Sequence, residues 1–179
     1  MCGLTQRWRA AQTSVAAFLK KHRFAVQEEV VLTNGKRIDI LAQKKLNREV
    51  FHILIEVKDW RNISRRAESQ FCKQITDYLV EFALEEKTER GEIINPSQIQ
   101  SLREKFVGIL CLTNDCHFSY RKVSHHFISK HNLILGMPVR EKLADYLELY
   151  VARFDFMPKV FRDLGIPLYR QKSLTQWLE

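Results

Sequence analysis

The sequence predicts an α/β fold, a mixed central sheet flanked by helices in the order α-β-β-β-α-β, with extra α/β elements toward the C-terminus. Three observations predict it. Residues 24–58 carry three apolar, strand-like runs separated by turn residues. Residues 65–87 carry an apolar stripe at helical spacing. Phe106–Leu112 is an unbroken apolar run, as expected of a strand buried on both faces.

Taken in order, Trp8, Ala11, Val15, Phe18 and Leu19 recur at spacings of three and four and predict a helix over 6–22. Lys20, Lys21, His22 and Arg23 crowd its end, where cations suit the helix dipole. Phe24–Thr33 reads as a strand, Asn34-Gly35 as a tight hairpin turn, and Lys36–Gln43 as the return strand. A polar turn over 44–48 leads to a third strand, 50–58. Ser64 is the predicted N-cap of the 65–87 helix, whose stripe is Phe71, Ile75, Tyr78, Leu79 and Phe82. Beyond a charged connector with Gly91 and Pro96, the pattern predicts a short helix at 97–105, the strand 106–112 and a helix near 120–130. A further apolar run follows at Leu133–Met137, then a helix at 140–154 and a tail at 155–179.

A chain of 179 residues, 45% hydrophobic, suggests one domain over 1–179 that buries a core without staples. No run approaches the ~18–20 apolar residues of a membrane span, and no secretory apolar core follows the N-terminus, so a cytoplasmic protein is expected. The cysteines are Cys2, Cys72, Cys111 and Cys116, without a CxxC. Cys111, Cys116 and His117 with His125 or His126 form a conceivable soft-metal set, but Cys111 lies in an apolar run and reads better as a small core residue. His125, His126 and His131 read as surface or capping residues, and Phe154, Phe156 and Phe161 as core or interface.

The net charge is +8 and is unevenly placed. Residues 1–66 hold 14 Lys/Arg against 6 Asp/Glu, whereas residues 67–179 hold 15 of each. The basic segment also carries the chemistry. Asp39 sits in Arg37-Ile38-Asp39-Ile40-Leu41, and Glu56 and Lys58 close Phe51-His52-Ile53-Leu54-Ile55-Glu56-Val57-Lys58. Residues i and i+2 of a strand share a face, so Glu56 and Lys58 project together and Val57 points into the core. By the same alternation Asp39 faces opposite to Ile38 and Ile40. Pairing of these strands brings two carboxylates and one ammonium together, a donor set suited to a hard divalent cation. A basic surface around such an acidic pocket suits a polyanion that is attracted and then cut. The plain alternative is a surface hairpin whose Glu56 and Lys58 pair in solvent. Against it, Glu56 follows Ile53-Leu54-Ile55, which is apolar on both faces.

Three motifs in this order resemble the PD-(D/E)XK nuclease superfamily, the restriction-endonuclease-like folds that include Holliday-junction resolvases, Mrr-type enzymes and RecB-type nuclease domains. Arg37-Ile38-Asp39-Ile40-Leu41 resembles the family's carboxylate strand. Ile55-Glu56-Val57-Lys58-Asp59-Trp60 resembles its ExK strand, the following aromatic being similar to Mrr-type members. Gln74-Ile75-Thr76-Asp77-Tyr78 is similar to the QxxxY of RecB-type members, although Tyr78 also belongs to the apolar stripe of its helix. The resemblance covers a core of about 6–113 and leaves 114–179 as an extension.

The resemblance implies a DNA endonuclease of repair, recombination or restriction, acting on double-stranded or branched DNA near the nucleoid, with a homodimer for two cuts. It implies Mg²⁺ or Mn²⁺ held by Asp39, Glu56 and the Val57 carbonyl, with Lys58 orienting water and Gln74 completing the catalytic set. Lys36, Arg37, Arg61, Arg65 and Arg66 are candidates for backbone contacts. Tyr78 and Gln12 are candidate supports. Gln12 stands where many relatives carry a metal-binding glutamate, which admits an alternative: a nuclease-like module without activity that binds DNA or protein. An ordinary α/β protein with an incidental basic half is the third reading.

Overall fold

The computed structural model describes residues 2–60, 63–89, 104–113, 119–124 and 147–169. In chain order the elements are α1 (Cys2–Lys21), β1 (Ala25–Val31), β2 (Arg37–Leu46), β3 (Glu49–Lys58), α2 (Arg65–Glu89), β4 (Glu104–Leu112), β5 (Tyr120–Lys122) and β6 (Leu147–Arg153), a 3-10 turn (Phe154–Phe156), and α3 (Met157–Asp163). They build one mixed six-stranded sheet, ordered β1-β2-β3-β4-β6-β5. The β1–β2 and β2–β3 pairs are antiparallel, β4 is parallel to β3, β6 is parallel to β4, and β5 returns antiparallel to β6. Among the described residues, no helix is long and apolar enough to cross a membrane.

The first hairpin closes where Asn34-Gly35 predicts. Gly35 adopts φ 77°, its N–H donates to the Leu32 carbonyl, and the Asn34 side chain accepts from Lys36 N–H. The second turn is tighter than expected. β2 runs on to Leu46, which pairs with Glu49 across Asn47-Arg48, and Asn47 takes φ 53°. Asparagine tolerates this left-handed conformation better than most residues.

Each sheet face has its own core. On one side Val15, Ala16 and Leu19 of α1 pack with Ile40, Ile53, Ile55, Val57, Ile109 and α3. On the other, Cys72, Ile75, Leu79 and Phe82 of α2 pack on Ile38, Leu54, Phe106, Leu110 and Leu149. Each fully buried Val, Leu, Ile or Phe among them contributes roughly 1.5–3 kcal/mol. Central β3 and β4 are covered from both sides, which explains their unbroken apolar sequences. Gly108 lets α2 lie close on β4: a Cβ there would come within 3.0 Å of the Ile75, Leu79 and Leu149 side chains.

Three expectations are corrected. Residues 104 and 105 begin β4 instead of ending a helix. Residues 120–122 form a strand instead of opening a helix. Residues 147–153 form β6, not the end of a helix. There Leu147, Leu149 and Val151 enter the α2-side core while Tyr150 and Ala152 enter the other, a period of two. The tail carries a helix, α3, with Pro158 in its first turn. The expected run at 133–137 and the 97–103 part of the short helix lie outside the described residues, as do Cys116, His117, His125, His126 and His131.

Candidate metal centre

Strands β2 and β3 pair from Ile40↔Ile55 onward, and the ladder stops there. Beyond that point the Val57 N–H has no β2 carbonyl to meet. The Asp39 carboxylate fills the gap, and its Oδ2 accepts from Val57 N–H at 2.8 Å. The position of Asp39 has a backbone cause. Opposite it in the β1–β2 hairpin, Glu29 adopts φ 56°, left-handed for a non-glycine residue. Simple alternation breaks at this point. Val26 packs on the α1-side core and Val30 on the α2-side core; Ile40 lies in the former and Ile38 in the latter. The expectation that Ile38 and Ile40 share a face opposite Asp39 is therefore corrected: the hairpin changes face here.

Glu56 and Lys58 follow the expected alternation and lie on the α2 side of β3 with Leu54, while Ile55 and Val57 enter the α1-side core. Asp39 and Glu56 are each only 6% exposed. The Lys58 ammonium donates to Glu56 Oε1 at 2.5 Å and lies 4.9 Å from the Phe71 ring centroid. The other Glu56 oxygen, Oε2, is buried and accepts no hydrogen bond among the described residues. Burial pushes the Glu56 carboxyl above its ordinary value, and the Asp39 charge pushes it further; Lys58 and Arg37 pull it back. Burial likewise raises Asp39, against the Val57 N–H and the charges of Lys58 and Arg37.

Helix α2 closes the site from above. Gln74 Nε2 donates to Tyr78 Oη at 2.5 Å, which leaves the phenol proton for another acceptor. Burial raises the Tyr78 phenol, its bond from Gln74 lowers it, and the charges of Glu56, Lys58 and Asp39 act on it in turn. Lys36 lies 5.8 Å from the Tyr78 ring centroid and Arg37 pairs with Glu29 at 3.6 Å, placing two of the predicted cations at the rim. Arg65 lines a different groove of about 530 Å³ with Glu68, Ser69, Arg121 and Lys122. Arg66 is exposed, and Arg61 lies outside the described residues. Gln12 is buried at 4% exposure, and its Nε2 donates to the backbone carbonyl of Asp39 at 2.9 Å. It therefore reaches the Asp39 strand as expected, but through the main chain.

Sequence reading did not single out Glu29, whose backbone turns the hairpin, or Phe71 as the ring beneath Lys58. A local sign of the turn is present: the apolar residues 38, 40 and 41 break a period of two. Two carboxylates on adjacent strands supply oxygen donors of the kind hard cations take, and Glu56 Oε2 has a lone pair to offer. No group of three or more His, Cys, Asp or Glu that could hold a metal occurs among the described residues, so the cation would complete its shell with main-chain oxygen, water or substrate. The chain matches no protein-family model and no curated protein.

Proposed function

We propose that the protein is a Mg²⁺- or Mn²⁺-dependent DNA endonuclease with a restriction-endonuclease-like core, cutting phosphodiesters with Asp39, Glu56 and Lys58. The observation that carries the reading is the pairing of two buried carboxylates on neighbouring strands, one with a buried oxygen that accepts no hydrogen bond among the described residues. A fold gains nothing from placing like charges together in a low dielectric; a cation makes that arrangement favourable.

Asp39, Glu56 and the Val57 carbonyl would hold the ion. Strand geometry supports the third donor, because the N–H and C=O of one residue point to the same side, and Val57 N–H points to Asp39. The bound ion supplies polarisation of a phosphate and a lowered pKa for water. The chain's own residues do the rest. Lys58 leaves Glu56 Oε1 to orient the attacking water and offset charge on the phosphate. Tyr78, held by Gln74, turns its free proton to a carboxylate or phosphate oxygen. Lys36 and Arg37 attract the DNA backbone at the rim, with Arg65 and Arg66 on the outer surface of α2. A double-strand cut would use a homodimer, and a nucleoid location follows from the substrate.

A second reading, a module that binds DNA or protein without cutting, is favoured by Gln12, whose side chain is committed to a main-chain carbonyl. Supercoiled, linear and branched DNAs incubated with Mg²⁺, Mn²⁺ or EDTA separate the two. Cutting that EDTA stops is the expected result; retention of DNA without cutting in either metal would favour the second.

A further inference from the structure

We propose that Trp60 is a stacking platform for an unpaired base, so that the DNA taken by this site carries an unstacked nucleotide beside the scissile phosphate: a branch, a flap or a single-stranded end. The inference deepens the nuclease reading and rests on it for the cut, but not for the stack.

Trp60 lies two residues beyond Lys58, just past the end of β3. Three large hydrophobic residues are exposed among the described residues: Val31, Trp60 and Tyr169. The Tyr169 ring is covered by the Arg23 guanidinium at 4.1 Å, and Val31 ends the edge strand β1. Trp60, 39% exposed, lies two residues past Lys58 and packs on the same ring, Phe71. Phe71 meets it in a T-shaped contact, centroids 5.1 Å apart and planes at 72°. Such a contact holds the indole while occupying at most one of its faces. The same Phe71 ring carries the Lys58 ammonium. The indole and the lysine thus share one support, and a base laid on Trp60 would fix its phosphate near Lys58.

The occupant follows from chemistry. Phosphates are met by cations, which this rim already has in Lys36 and Arg37. An indole adds nothing for a phosphate but binds the face of a base. In intact duplex those faces are hidden in the stack, whereas an unpaired nucleotide offers one freely.

The test uses the full chain in EDTA, where nothing is cut. Labelled oligothymidylate, an abasic strand of equal length and a blunt duplex are titrated by anisotropy. The wild type should bind oligothymidylate about tenfold tighter than the abasic strand, the scale of stacking one base. Trp60→Ala should erase that preference while leaving abasic-strand affinity unchanged, and Trp60→Phe should restore part of it. Equal wild-type binding to both strands, no binding to either, or a preference that survives in Trp60→Ala would each overturn the inference. Plasmid cutting in Mg²⁺ without any base preference would retire the platform and keep the nuclease. A Trp60-dependent base preference without metal-dependent cutting would do the reverse.

Discussion

The two ends of β3 hold polar groups of similar kind in opposite arrangements. Near its start, His52 and Glu104 approach to 3.6 Å with side chains 1% and 7% exposed. Gln43 lies 3.1 Å from His52 Nδ1, and the Phe106 ring stacks on the imidazole at 5.1 Å. An imidazole and a carboxyl group are sealed there beneath aromatic rings. At its end, Glu56 meets Lys58 but also feels the charge of Asp39. The first arrangement is what a stable core does with polar groups. The second places like charges together, an arrangement that costs the fold and fits the proposed cation.

Mutation should split the two ends into activity and stability. Asp39→Ala or Glu56→Ala should lower metal-dependent cleavage about 10³-fold, the upper scale for removing one electrostatic group from a site, with DNA retention kept. Cleavage at wild-type rates would dissolve the contrast. His52→Ala or Glu104→Ala should instead cost about 2 kcal/mol of stability by leaving a buried polar partner unsatisfied. Denaturant melts measure it, and the folded fraction should cut normally. Lys58→Ala should reduce turnover about 10²-fold while Mn²⁺ binding, read by calorimetry, persists. Loss of Mn²⁺ in that variant would reassign Lys58 from the reaction to the ion.

The smallest effect concerns pH. Glu56 and Asp39 are raised in the folded state above their ordinary, unfolded values. The folded protein therefore binds these protons more tightly than the unfolded chain. Their penalty is full above the raised values and disappears as pH falls below the ordinary carboxylate range. Glu56→Gln should remove part of this slope and leave the protein at neutral pH as stable as wild type or more so, by up to about 1 kcal/mol. Melting temperatures across pH check it; a less stable Glu56→Gln at neutral pH would mean that the Lys58 ion pair outweighs the crowding. Metal affinity should fall on acidification starting from the raised values.

Much of this frame was legible in the sequence. α1, the meander, α2 and β4 announce themselves by period and by Asn34-Gly35, because each pattern is local. Asp39 and Glu56 were legible as carboxylates in apolar strands. Strand β6 was not, since Leu147-Glu148-Leu149-Tyr150-Val151-Ala152 is short and apolar enough to fit a helix or a strand, and only its bed against β4 decides. The face change at Glu29 and Asp39 was also hidden. It rests on one left-handed residue that is neither Gly nor Asn, and alternation rules assume regular backbone. Gln12 showed its neighbourhood but not its partner, because a glutamine can serve the main chain of Asp39 as readily as its side chain.

The left-handed Glu29 has a consequence for how copies of the molecule meet. β1 is an outer strand of the sheet, long enough to template another chain. Glu28 and Glu29 are charged and exposed along it, and the turn of the backbone at Glu29 spoils the regular row of N–H and C=O groups that an incoming strand would need. The opposite edge among the described residues, β5, is three residues long. Both rims are blunted in the ways that protect natural sheets from edge-to-edge growth. Concentrated protein should therefore resist fibre formation through its rims, and any self-association would join helices or loops, leaving the sheet at its own width.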